Sequence, residues 1–317
     1  LLDHPAPAVR AAAWPAAAAC GVPAGTLLDK LEPALADANP EVRVAVAIAL
    51  ASLGSAAKPA VPALAQLLDA GDEGLRAAAA RALGGIGPDA GAAVEPLANH
   101  LTAARGEEKL ALIAALGAIG PAAKDAAPAL VELTADSDAA NRAAAADALG
   151  SLGEAAKDAR PKLLAGLKDS DAAVRASAVR AVARVEPGAA DLVPILTAAL
   201  SDTDSAPRHA AAERLGKLGE AARPAQPKLF AMLDQPIDRG AALEALRGMQ
   251  ADDVPRLTAA LDHPDWNVRA FGADALGQLG KAAGPARDRL QKAVAEDPHE
   301  DVKRAARRAL RRIREAK

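Results

Sequence analysis

Small, apolar and charged positions recur along this chain with a period of 33 residues. A basic residue stands at Arg10, Arg43, Arg76, Lys109, Arg142, Arg175 and Arg208, each 33 after the last, then at Arg239, Arg269 and Lys303 at intervals of 31, 30 and 34. Seven positions after each comes Ala17, Leu50, Leu83, Leu116, Leu149, Val182, Leu215, Leu246, Leu276 or Leu310. Ten positions after each comes Cys20, Leu53, Ile86, Ile119, Leu152, Val185, Leu218, Met249, Leu279 or Ile313. With small or apolar residues also at the third and fourth positions, this spacing traces one face of an α-helix of about three turns. A pattern kept over ten units is an architectural signal, because stacked units bury together a face that none buries alone.

Glycine follows at the eleventh position in Gly21, Gly54, Gly87, Gly120, Gly153, Gly219 and Gly280, where a stopping helix needs a left-handed residue. The helix it ends is the second of a predicted pair. The first is shorter and is entered through Pro33, Pro62, Pro96, Pro128, Pro161, Pro194, Pro227 or Pro255, since proline fits the first helical turn. It runs through leucines such as Leu64, Leu67 and Leu68 to a polar turn. Asp3, Asp37, Asp69, Asp136, Asp169, Asp202, Asp262 and Asp297 lie in these turns, six or seven residues before the basic position. An Arg that begins one helix and an Asp that ends another each oppose the local helix dipole. Their joint recurrence predicts pairing across the turn and between neighbouring units. The predicted ladder comprises Arg10, Arg43, Arg76, Arg142, Arg175, Arg208 and Arg269 with Asp37, Asp136, Asp169 and Asp202, a structural role because a catalytic group need not occur ten times.

Composition supports thin layers. Ala fills 91 of the 317 positions, against two Trp, two Phe and no Tyr. Such a chain buries area by drawing helix backbones together rather than by filling one thick core. Strand formers are few, and no strand is predicted. The formal charge of -3 is uneven: Val302–Lys317 holds eight basic residues and one acidic, leaving the rest at about -10. A single cysteine, Cys20, excludes an internal disulfide and any multi-cysteine metal site. The longest weakly polar run, Ala11 to Leu28, holds two Pro and two Gly, so no membrane span is predicted.

The segment Leu-Ala-Asp-Ala-Asn-Pro-Glu-Val-Arg at 35–43, followed in the next unit by Ala-Leu-Gly-Gly-Ile-Gly at 82–87, resembles HEAT repeats, in particular the short bacterial HEAT-like form first associated with phycobilisome lyases. The resemblance covers essentially the whole chain. It implies an all-α fold, a right-handed α-solenoid (a HEAT-like superhelix) of about ten antiparallel helix pairs without β-sheet. Residues 1–317 then form one repeat domain with units at 1–21, 22–54, 55–87, 88–120, 121–153, 154–186, 187–219, 220–250, 251–280 and 281–317. Leu1-Leu2-Asp3 aligns with the last turn of a first helix, so the first unit is expected to be partial and the chain a fragment. The Arg-rich stretch Lys303 to Lys317 is expected to close the array as a capping helix with one solvated face. The resemblance is specific for fold and not for function, since this repeat family includes scaffolds, adaptors, lyase subunits and DNA glycosylases.

Candidate chemistry is sparse. Gly84, Gly85 and Gly87 follow no strand, so they read as helix caps and not as a dinucleotide loop. His4 and His263 share Leu-Asp-His-Pro in equivalent turns, which points to turn chemistry. Cys20 and Trp14 fall on core positions, and Pro15 is expected to kink or shorten its helix. Trp266, in the turn before Val268-Arg269, either packs over the neighbouring turn or serves as an exposed aromatic anchor. In HEAT solenoids the second helices line the concave face, so the fifth and ninth positions should define a groove. They supply Arg81, Asp147, Arg180, Arg184, Glu213, Lys217, Glu244, Asp274 and Gln278, which with Trp266 are the candidate partner-binding residues. No catalytic residue, metal site or cofactor is assigned. The expected function is a monomeric, non-catalytic scaffold for a protein or peptide. The alternatives are a lyase-like or DNA glycosylase-like enzyme subunit, which needs a clustered acid or nucleophile, and nucleic-acid binding through the basic C-terminal helix. That helix lacks the interleaved aromatics that stack bases, so nucleic acid is not the expected partner, and the compartment stays open.

Overall fold

The computed structural model describes residues 1–188 and 190–316, and among them every regular element is a helix. The chain divides into two compact units, Leu1–Gly188 and Ala189–Lys317. The first contains α1 (Pro7–Ala19), α2 (Ala24–Leu28), α3 (Leu31–Leu35), α4 (Pro40–Leu53), α5 (Val61–Gln66), α6 (Glu73–Ile86), α7 (Val94–His100), α8 (Gly106–Ile119), α9 (Ala127–Leu133), α10 (Ala139–Leu152), α11 (Arg160–Gly166) and α12 (Ala172–Val185). The second contains α13 (Leu192–Ala199), α14 (Ser205–Leu218), α15 (Gln226–Met232), α16 (Arg239–Gly248), α17 (Val254–Ala260), α18 (Trp266–Leu279), α19 (Arg287–Glu296) and α20 (Glu300–Glu315). In each unit the long helices lie side by side as one layer, and each short helix packs on the long helix that follows it. The fold is an all-α solenoid.

The long helices start where the turn residue can cap them. Asn39, Asp138, Asp171 and Asp265 each accept the N–H two residues on, and Asp72 accepts that of Leu75, satisfying donors that the first helical turn leaves free. The seventh-position leucines then seal the repeat: Leu50, Leu83, Leu116, Leu149, Leu215, Leu246 and Leu276 are fully buried, each worth roughly 1.5–3 kcal/mol relative to exposure. Between neighbouring long helices the contact is made of the smallest residues. A Cβ added at Gly150 of α10 would sit 2.8 Å from the Ala181 Cα of α12, and one at Gly277 of α18 would sit 2.7 Å from the Ala309 Cα of α20. Glycine eight positions after the basic residue thus meets alanine six positions after the next, which lets the backbones touch.

Four features depart from the sequence reading. The glycine that ends α4, α6, α8, α10, α14 and α18 opens no simple loop, because a seven-residue 3₁₀ segment such as Gly87–Ala93 or Gly153–Ala159 leads into the short helix. Its backbone is more demanding than an ordinary left-handed cap: Gly153 has φ 61° and ψ -141°, a region that residues with a Cβ avoid. Helix α1 runs unbroken from Pro7 to Ala19 through Pro15, neither shortened nor ended, because one missing N–H removes one bond from a helix that Trp14, 1 % exposed, anchors by packing. Cys20, expected in the core, is exposed. After α1 the chain enters the five-residue α2 through a short turn, without the 3₁₀ segment that packs against α4, α6, α8, α10, α14 and α18.

Two stretches, 40–69 and 106–133, are long and apolar enough to cross a membrane by composition alone. Each breaks at a glycine, the first into α4, a 3₁₀ segment, α5 and a closing 3₁₀ turn and the second into α8, a 3₁₀ segment and α9, and about half of the apolar 18-residue window in each is buried among its neighbours, as the interior of a helical layer requires.

Candidate functional site

The turns carry the charge ladder, with an arrangement more specific than simple pairing. The Arg donates to the carbonyl six residues back, through Nη1 in Arg142 to Asp136 O at 3.0 Å, Arg175 to Asp169 O at 2.8 Å, Arg208 to Asp202 O at 2.9 Å and Arg269 to His263 O at 2.9 Å, and through Nε in Arg239 to Leu233 O at 2.9 Å. The rest of the guanidinium reaches forward to a carboxylate of the next repeat. Arg10 takes Asp37 at 2.7 and 2.9 Å, Arg142 takes Asp169 at 2.8 Å through both nitrogens, Arg269 takes Asp297 at 2.7 and 3.0 Å, and Lys109 takes Asp136 at 3.2 Å. These same carboxylates accept the N–H two residues on, as Asp169 does from Asp171. Arg142 beside it, aided by that N–H, holds the Asp169 carboxyl below the ordinary carboxylate range; Arg10 and the Asn39 N–H do the same for Asp37.

Where the turn lacks an acid six residues before the basic position, the ladder recruits one from elsewhere. Arg76 binds Glu108 at 2.6 and 2.7 Å, Arg208 binds Asp238 at 2.8 and 3.1 Å, and Arg239 binds Asp265 at 2.8 Å. Glu108 and Asp238 each stand directly before their own repeat's basic residue, a position the turn-Asp pattern passes over. Among the described residues Arg43 reaches only the carbonyls of Asp37 and Ala38, because the next turn offers Ala70 at the sixth position. The acids one place earlier face the other way. Asp69 meets His100 at 3.2 Å, while Asp3 meets Lys30 and Asp262 meets Arg289, each partner lying in or beside a short helix of the following repeat. His4 and His263 replace the sixth-position Asp: their Nδ1 atoms accept the Ala6 and Asp265 N–H groups at 3.1 and 3.0 Å.

The fifth- and ninth-position residues lie on the free face of the long-helix layer, in varied states. Asp147 and Arg180 form a two-pronged pair at 3.0 and 2.9 Å, joined by the buried Ser177 hydroxyl, which donates to Asp147 at 2.8 Å. Arg180 is therefore half-buried in a cluster and not the free surface group its position suggests. Arg81 meets Glu107 at 3.0 Å and Lys217 meets Glu213 at 2.5 Å. Arg184, Glu244 and Gln278 are exposed, and neither Arg184 nor Glu244 has an ion-pair partner among the described residues.

In the second unit this face opens into a cavity of about 450 Å³ between α16, α18 and α20, within the size range of ligand pockets. It exists because α16 spans ten residues where the other long helices span thirteen to sixteen, and α16 and α18 barely touch. Helix α16 ends at Gly248, and the turn after it, with Gln250 at φ 51°, passes to α17 without a 3₁₀ segment, the shortening that the intervals of 31 and 30 announce. Trp266, Asp274 and Gln278 line the cavity with Arg247, Phe271, Arg308 and Arg312. Trp266 is 38 % exposed and stacks on His299, ring centres 4.0 Å apart and planes 6° from parallel. Arg247 lies over the Phe271 ring at 5.7 Å, and Arg308 pairs with Asp274 at 3.0 Å. The sequence pattern did not single out Arg247 or Phe271, because neither occupies a fifth or ninth position.

HEAT repeats match over residues 28–101, 159–247 and 227–311, and the PBS lyase HEAT-like repeat matches over 142–169. No curated protein matches the chain. Among solved structures the chain is similar to an engineered protein (TM-score 0.54, 23 % identity, 99 % of this chain and 97 % of that one) and to importin beta (TM-score 0.58, 16 % identity, 89 % and 44 %). It is also similar to the karyopherin Kap121p bound to the extreme C-terminus of the protein phosphatase Cdc14p (TM-score 0.57, 12 % identity, 98 % and 41 %). The chain thus spans less than half the length of either karyopherin, and at these identities the likeness is one of fold. With the repeat matches covering most of its length, this chain belongs to the HEAT-repeat family.

Proposed function

We propose that this chain is a non-catalytic scaffold that binds a protein or peptide on the free face of the long helices of its second unit, through Glu213, Lys217, Glu244, Asp274, Gln278 and Trp266. The observation that carries this reading is the cavity on that face, walled by an exposed aromatic, a buried aromatic and charged side chains held on rigid helices. Exposed aromatics and arginines in a depression are the usual anchors of protein interfaces. The karyopherin with a bound phosphatase C-terminus shows that another HEAT solenoid holds a peptide segment. Arg180 and Asp147 support the face from within their cluster, so they are poor test positions. The test uses a partner captured with this chain. Reversing Lys217 to Glu together with Glu244 to Lys is expected to weaken that partner severalfold, because charged rims set orientation and encounter. Reversing Lys162 on the short helix α11 is expected to leave it unchanged, and the opposite ranking overturns the assignment.

A further inference from the structure

Along most of the free face, opposite charges are spent on each other: Arg81 with Glu107, Arg180 with Asp147, Lys217 with Glu213. The cavity between α16, α18 and α20 is different. Three guanidiniums, those of Arg247, Arg308 and Arg312, share its wall with one carboxylate, Asp274, and Arg308 already occupies that carboxylate at 3.0 and 3.3 Å. Arg247 rests on the Phe271 ring, and neither it nor Arg312 has an ion-pair partner among the described residues. Two cations are thus held facing one cavity with nothing to neutralise them, next to the partly exposed ring of Trp266, which its stack on His299 keeps in place. The rest of the lining includes apolar Leu246, Ala270 and Ala275 and the amides of Gln250, Asn267 and Gln278, which can donate to and accept from a peptide backbone.

We propose that this cavity takes an acidic segment of a partner protein, with two carboxylates on Arg247 and Arg312 and an apolar side chain against Trp266. The proposal rests on the scaffold reading and narrows it to a ligand chemistry. Guanidinium pairs carboxylate through two parallel hydrogen bonds, and a pocket of this size admits a few side chains. Nucleic acid fits less well. The wall contains Asp274, which repels a phosphate backbone, and the one exposed indole has a face covered by His299, so successive bases find no stacking platform. The acidic segment is bound by charge for orientation and by Trp266 for affinity, as interface anchors are, while the buried Phe271 supports Arg247 from beneath.

The experiment measures fluorescence anisotropy of a labelled decapeptide of alternating Glu and Leu at fixed ionic strength, with an alternating Lys and Leu decapeptide and a single-stranded oligothymidine as comparison ligands. The acidic peptide is expected to bind saturably and to perturb the indole emission, a local signal because Trp14 is buried in α1. The double variant Arg247→Glu with Arg312→Glu is expected to weaken it at least about tenfold, and the milder Arg247→Gln with Arg312→Gln by less, both retaining the wild-type circular dichroism. Reversing Arg311 and Arg314, exposed on α20 but outside the cavity, is expected to change affinity less than about twofold. Absent binding, equal losses for the two reversed pairs, or tighter binding of the oligothymidine with the same dependence on Arg247 and Arg312 each overturns the proposal. The scaffold reading is judged separately by the captured partner's response to Lys217 and Glu244, so a failure of the acidic-segment proposal is told apart from a failure of the scaffold reading on which it rests.

Discussion

Replacing Gly150 by Ala tests whether the long-helix layer depends on backbone contact. In an isolated helix the change stabilises, since Gly is about 1 kcal/mol less favourable than Ala in a helix interior. Here the new methyl would sit 2.8 Å from the Ala181 Cα and 3.1 Å from its Cβ, and a backbone atom cannot swing aside as a side-chain end can. Helices α10 and α12 must separate, and overpacking of this kind costs about 1–3 kcal/mol. The repulsive effect outweighs the propensity gain, leaving a net loss of about 1 kcal/mol. Gly240 supplies the contrast: it is exposed near the start of α16, with no heavy atom within 4 Å of the added methyl, so Gly240→Ala should stabilise by up to about 1 kcal/mol. Urea unfolding followed by circular dichroism separates the two, with midpoints moving in opposite directions. Because repeat arrays open locally, hydrogen exchange of α10 and α12 amides should report the Gly150→Ala loss most strongly. Adding Ala181→Gly should make the double variant less unstable than the sum of its singles, the signature of a shared contact. If Gly150→Ala raises the midpoint as Gly240→Ala does, close packing of the long helices is not what holds the layer.

Arg142→Ala removes both bonds to Asp169 and the tie to the Asp136 carbonyl, so it should lower the denaturation midpoint clearly more than Arg184→Ala, which breaks no ion pair. Equal midpoints would take the ladder out of the account. Acid should loosen the array through the same carboxylates. Asp37, Asp136 and Asp169 are held below the ordinary value of 3.8, so their contribution is fully present above that value and is lost as pH falls below about 4 through their folded-state values. A thermal midpoint that is flat from neutral pH to about 4 and then falls is expected, whereas a fall confined to the range above pH 5 contradicts the assignment.

The solenoid was legible because its signal is repeated: ten basic residues, ten apolar sevenths and a terminal glycine in most units define both helices without any one residue being decisive. The glycine's mirror-image backbone and the 3₁₀ segments were not legible, since Gly-X-X-Ala runs such as Gly153–Ala156 carry no periodicity that separates a 3₁₀ turn from a loop. The ladder shows the same limit. Periodic Asp residues pointed to pairing in the turns, but Glu108 and Asp238 enter it from the start of the next helix, and Asp69 and Asp262 leave it to face short-helix residues, because the reach of a guanidinium is set in space and not by register. Proline 15 misled because its effect depends on Trp14 packing rather than on the local chain. The candidate cavity was half legible. Trp266, Asp274 and Gln278 came from position, and the shortened intervals at Arg239 and Arg269 marked where the array loses its regular stacking. Arg247 and Phe271 became visible only once α16 and α18 were seen to part.

The claim that the long-helix face is the binding surface is tested most directly by placing a photoreactive amino acid at single positions and mapping adducts with a bound partner. Gln278, on the wall of the α16, α18 and α20 cavity, should give an adduct that a competing acidic peptide suppresses, while Lys162 on the exposed side of α11 should give none above background. Efficient cross-linking at Lys162 with none at Gln278 would contradict the account, placing the partner on the short helices instead.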